Sequence, residues 1–167
     1  LFTRALAPSG MSKAPAPIPK EDPRADPAWD IYPENGCLTG DRSGDASGLA
    51  GTEVKLRRCG FSVCQVLHDD AGYDAGVIPS SLSGAVPGVI QEVPLAELYG
   101  LYMALRHALP PITYHTDCRL VSDGFRAGRP GTTKGHHAFA DLWMDVWDLV
   151  DDIGAPNIGV KWIKAHA

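Results

Sequence analysis

Seven of the 14 prolines in this 167-residue chain (Pro8, Pro15, Pro17, Pro19, Pro23, Pro27 and Pro33) fall before residue 34. Each proline fixes φ and removes a backbone donor, so such a density works against regular helix or sheet. The stretch from Ala7 to Gly36 shows neither a helical nor a strand period and reads as a Pro-rich disordered linker or tail. The expectation is therefore a tail over residues 1–36 and one folded domain over residues 37–167, a size common for a single hydrophobic core.

Composition supports a globular domain. A hydrophobic share of 44% and a charged share of 21% argue against full disorder and against a coiled coil. No run of about 18 apolar residues occurs, so a transmembrane helix is excluded. The net charge of −5 argues against a polycation that coats nucleic acid, but leaves room for a local basic patch. Cys37, Cys59, Cys64 and Cys118 form no C-x-x-C pair, so neither a disulfide scaffold nor a structural zinc site is expected. Together with the absence of a secretory h-region, they point to reduced thiols in an intracellular protein. Because the chain starts at Leu1 rather than Met and stops at Ala167, it is expected to be part of a longer one.

Within the domain the pattern is first β. Leu56–Leu67 is rich in strand formers, and Asp69–Gly72 reads as a turn. Ala75–Ile78 and Gly88–Val93 read as short strands around a Pro/Ser/Gly loop, giving an antiparallel meander. Pro94 then opens a helix in which Leu95, Leu98, Leu101, Tyr102, Leu105 and Leu109 share one side, with Glu97 just beyond its edge. Ile112–His115 is a strand. Ala138–Ile153 is a second amphipathic helix with Asp141, Asp145, Asp148, Asp151 and Asp152 on its solvated face. Ile158–Lys164 is a last strand. The order β-β-β-α-β-α-β suggests a mixed sheet with helices packed on it.

Carboxylates at strand ends and at a helix edge suit divalent metals, which take hard oxygen ligands; a two-metal site holds its ions about 3.5–4 Å apart. The candidates from separate elements are Asp41 or Asp45, Glu97 and Asp117. No G-x-S-x-G elbow and no Walker-type phosphate loop is present.

Four pieces in order, VPLAELYGLYMAL, ITYHTDCRLVSDGF, ADLWMDVWDLV and KWIKAHA, resemble ribonuclease H of type 1, in particular the domains of retroelement-like proteins. The resemblance runs from about Gly40 to Ala167. It implies an α/β fold with a five-stranded mixed sheet, three antiparallel strands followed by β-α-β alternation, here incomplete at the C-terminus. Ala96-Glu97-Leu98 matches the family's helix glutamate. Thr116-Asp117 matches its aspartate after the fourth strand, and WIKAHA matches its histidine motif at His166. For the first aspartate, Gly44-Asp45-Ala46-Ser47 is the favoured match and Asp41 the rival, which has the better strand in front of it. The family's fourth aspartate lies beyond the histidine, past the last residue given.

What the resemblance implies is hydrolysis of the RNA strand of an RNA–DNA hybrid. Mg²⁺, or Mn²⁺, would be held by Asp45, Glu97 and Asp117, and His166 would help proton transfer or product release. No small-molecule cofactor and no membrane is expected as a partner, and other domains of a longer polyprotein are. The loop Gly124–His137 carries Arg126, Arg129 and Lys134 without an acid and is a candidate for phosphate contacts; Lys55, Arg57 and Arg58 form a weaker cluster. The competing reading is a catalytically decayed module that binds nucleic acid inside a retroelement polyprotein.

Overall fold

Among the described residues, six strands and three α-helices succeed one another as β1 (Ala28–Ile31), β2 (Asp41–Leu49), β3 (Arg58–Val66), β4 (Ser81–Ala85), α1 (Val93–Arg106), β5 (Ile112–Thr116), α2 (Arg119–Thr132), α3 (Ala140–Ile153) and β6 (Ile158–Trp162). They are seen in a computed structural model that describes residues 27–49, 57–67 and 77–164. The strands form one mixed sheet in the order β1-β4-β3-β2-β5-β6. The pairs β1/β4, β4/β3 and β3/β2 are antiparallel, whereas β2/β5 and β5/β6 are parallel. The mixed sheet is of the expected kind, three antiparallel strands followed by parallel pairing, but it has six strands rather than five, β1 being added at the edge.

The core lies between one sheet face and the helices. Phe61 and Val63 of β3, Ile112 and Tyr114 of β5, Leu98, Leu101 and Leu105 of α1, and Trp143, Val146 and Val150 of α3 are all buried. Burial of such side chains contributes roughly 1.5–3 kcal/mol each. One cation is buried with them. Arg42 donates to the carbonyl oxygens of Gly40 and Leu38, each at 2.8 Å, and of Leu109 at 3.2 Å, tying the chain before β2 to the chain after α1. Burial pushes its pKa down to about 10, with Asp41 opposing.

The structure departs from the sequence reading in three elements. Ala28–Ile31, inside the segment read as irregular, is an edge strand paired with β4. An edge strand bonds on one side only, so the flanking Pro27 and Pro33 leave its ladder intact. Second, Ser81–Ala85, read as a loop, is the strand. Val77, Ile78, Val89 and Ile90, read as strand residues, are exposed and lie outside any strand. Leu82 is fully buried there, and the backbone pairing with β3 supplies what the small residues lack. Third, most of the basic segment read as a loop from Gly124 is the second half of α2. That helix is kinked at Gly128, where φ is 74°, a conformation open to glycine. The turn expected at Asp69–Gly72 lies outside the described residues.

Candidate metal centre

β2 is the strand that positions the site, although its sequence, DRSGDASGL, has almost no apolar residue. Its backbone is bonded on both sides, by β3 along its whole length and by β5 at its start. That pairing rather than hydrophobic alternation makes it a strand. Gly44 sits where the buried Tyr114 hydroxyl packs; a β-carbon there would run into the phenol. The strand thus comes close over Tyr114 and delivers the next residue, Asp45, to the level of α1.

Glu97 comes from the N-terminal part of α1 and Asp117 from the residue that follows β5. One carboxylate oxygen from each of Asp45, Glu97 and Asp117 lies within 4.8 Å of the others. Asp45 is exposed, Asp117 half-buried and Glu97 buried, with 5% of its surface accessible. A single backbone N–H, that of Ala46, donates to Asp45 Oδ1 at 2.8 Å and to Glu97 Oε1 at 3.0 Å. Glu97 Oε2 is buried with no hydrogen-bond partner. Burial first, then the charges of Asp117 and Asp45, push the Glu97 carboxyl up to about 7, against the pull of the Ala46 N–H. Three oxygen donors, one of them buried and unsatisfied, are the donor set that a hard divalent cation takes. The cluster can hold a metal ion.

No protein-family model matches the chain, and no curated protein matches it. Solved structures do. The PFV (foamy virus) RNase H domain aligns with a TM-score of 0.60 at 16% identity over 79% of this chain and 82% of that one. LC9-RNase H1, a type 1 RNase H with the type 2 active-site motif, aligns with a TM-score of 0.56 at 18% identity, over 78% of this chain and 65% of that one. The foamy viral protease-reverse transcriptase in complex with RNA/DNA hybrid gives 0.55 at 11% identity, over 97% of this chain and 21% of that chain. The chain has the ribonuclease H fold.

Within this ribonuclease H fold, Asp45 rather than Asp41 joins Glu97 and Asp117. Asp41, at the start of β2, instead faces His115, whose Nε2 is 3.6 Å from Asp41 Oδ2. The basic residues do not form a common open patch. Arg126 is exposed and pairs with Asp123 at 3.0 Å. Arg129 holds Asp148 at 2.9 Å and Asp151 at 2.7 Å, so two acids assigned above to a solvated face tie α2 to α3. Lys134 is exposed just beyond α2. His166 and Lys55 lie outside the described residues.

Two parts of the site were not singled out from sequence. The Ala46 N–H is a backbone group and leaves no signal in residue types. Trp162 donates its indole N–H to the Asp117 carbonyl at 3.0 Å; its place in the histidine motif was the available clue. Elsewhere, a cleft of about 560 Å³ between residues 86–90, α1 and the start of α3 contains none of the three carboxylates.

Proposed function

We propose that this chain is a metal-dependent endoribonuclease that hydrolyses the RNA strand of RNA–DNA hybrids. The observation that carries this reading is the convergence of Asp45, Glu97 and Asp117 within 4.8 Å on a ribonuclease H fold. The buried, unpartnered Glu97 Oε2 fits the group, because such an oxygen is costly to bury unless a cation or donor meets it. Asp45, Glu97 and Asp117 would hold Mg²⁺ or Mn²⁺. When bound, such an ion activates water and stabilises the leaving oxygen of a phosphodiester.

The chain's own residues do the rest. The Ala46 N–H fixes the Asp45 and Glu97 carboxylates in one orientation, so little is lost in ordering them at the moment of binding. Beside Asp45 lies a groove of about 380 Å³ lined, apart from Phe61, by small residues, among them Ala46, Ser47, Ser62, Ser83 and Gly84. Small walls let a sugar–phosphate backbone come close, and serine hydroxyls suit a 2′-hydroxyl; hybrid is then read by shape rather than by base. Arg126 and Lys134 supply phosphate contacts, with Arg129 giving less because two aspartates already share its charge. His166 assists proton transfer or product release, and the setting is intracellular. The foamy viral reverse transcriptase solved with RNA/DNA hybrid supports the substrate class and a longer polyprotein as context.

The test is a panel of labelled substrates: RNA–DNA hybrid, duplex RNA, single-stranded RNA and duplex DNA, each with Mg²⁺, Mn²⁺ or chelator. The expected result is cutting of the RNA strand of the hybrid alone, abolished by chelator. Hybrid that is bound and left whole with either metal would replace this reading by that of a decayed binding module.

A further inference from the structure

Asp117 belongs to no strand or helix. It is the single residue between Thr116, which ends β5, and Cys118, the N-cap of α2. Its carboxylate reaches Asp45 and Glu97 only if that junction is held in place. Three hydrogen bonds hold it. The Cys118 N–H donates to Thr116 Oγ1 at 3.0 Å, inside the junction itself. The Ile163 N–H donates to the Thr116 carbonyl at 2.9 Å, and the Trp162 indole N–H donates to the Asp117 carbonyl at 3.0 Å. Two of the three therefore come from the end of β6, where the parallel register sets Trp162 beside Thr116.

The indole is held in turn. Arg119, in the first turn of α2, places its guanidinium carbon 4.5 Å from the centre of the Trp162 ring, an attraction worth about 0.5–1 kcal/mol at an exposed site. Trp162 is 40% exposed, so filling the core does not explain a large aromatic residue at this position. Its polar tip does: the indole N–H is its only donor, and that donor is spent on the backbone of a carboxylate in the cluster.

We propose that Trp162 is a positioning residue for the metal centre: its N–H, with the ring steadied by Arg119, fixes the Asp117 backbone so that the Asp117 carboxylate stays in register with Asp45 and Glu97. The proposal rests on reading the cluster as a metal centre. Outer groups that orient ligands typically alter metal affinity by 10-fold or more when removed.

The test is calorimetric titration of Mn²⁺ into the full chain without nucleic acid, alongside melting of the metal-free protein. Trp162→Phe keeps the ring and loses the N–H. It is expected to weaken Mn²⁺ binding by about tenfold while the metal-free melting temperature moves by only a few degrees. Arg119→Lys keeps the charge and loses the planar stack, and is expected to weaken binding by a smaller factor. Equal Mn²⁺ affinity in wild type and Trp162→Phe overturns the brace and leaves the metal centre standing. A wild type that takes up no Mn²⁺ overturns the metal centre and the brace with it. If Trp162→Phe does not fold, Arg119→Lys decides, and unchanged affinity there overturns the proposal.

Discussion

At the residue scale, a carboxyl group buried beside two others holds its proton to a higher pH than a solvated one. Glu97 is in that position, with its pKa raised from 4.5 to about 7. The folded state therefore holds a proton between these values that the unfolded state has released. Stability from this group is complete below pH 4.5, falls as pH rises, and is gone above about pH 7. At roughly 1.4 kcal/mol per pH unit, the loss is on the order of 3 kcal/mol for metal-free protein. Glu97→Gln keeps an acceptor for the Ala46 N–H and removes the charge. The expected outcome is a variant that is inactive yet more stable than metal-free wild type at pH 8, by on the order of 2–3 kcal/mol, with little difference at pH 4.5. Urea unfolding at the two pH values checks this; equal stability at both would show that Glu97 carries no uncompensated charge. Gly44→Ala should destabilise by about 1–3 kcal/mol, since its methyl meets the Tyr114 phenol beneath Asp45.

At the element scale, α2 explains why part of the fold was legible and part was not. α1 and α3 announce themselves by apolar residues at helical spacing, and Leu98, Leu101 and Leu105, with Trp143, Val146 and Val150, are buried as the period marks. Leu109, by contrast, lies beyond the end of α1 and is exposed, and Glu97, placed just past the edge of the stripe, is buried. In α2 the glycines at 124, 128 and 131 and Pro130 hide the helix from any local pattern. Its support is tertiary: Phe125 stacks on Trp147 at 5.1 Å, and the Trp147 indole N–H donates to Thr132 Oγ1 at 2.7 Å. Thr132→Val strands that buried donor and is expected to cost about 1–3 kcal/mol in denaturant unfolding; no change would mean that the bond contributes nothing. The same contrast holds in the site. Glu97 and Asp117 sit in motifs with a clear neighbourhood, whereas the choice between Asp45 and Asp41 depended on β2, whose strand character is lent by β3 and β5. If the proposed phosphate contacts are made, Arg126→Ala and Lys134→Ala should each flatten the salt dependence of hybrid binding by roughly 0.9 or a little less. Arg129→Ala should flatten it less, because its charge is already shared. An unchanged slope in the Arg126, Lys134 double variant would remove this side of the domain from the interface.

At the scale of the whole molecule, the sheet, α1 and the junction after β5 bring together three carboxylates that are far apart in sequence, and nothing among the described residues neutralises the buried one. Metal binding and folding are therefore linked. At pH 8, Mg²⁺ at about 100 times its dissociation constant is expected to add roughly 2.7 kcal/mol of stability, and the same concentration is expected to add less at pH 5, where a proton on Glu97 competes and weakens binding. The central claim is that these carboxylates make the ribonuclease H fold of this chain a hybrid-cutting enzyme. The rate of RNA-strand cleavage in a labelled RNA–DNA hybrid, measured in Mg²⁺ for wild type and for Asp117→Asn side by side, tests it most directly. The account predicts internal cuts by wild type and none above background by Asp117→Asn at matched hybrid binding; equal cleavage by the two, or hybrid bound and left whole by wild type, would contradict it.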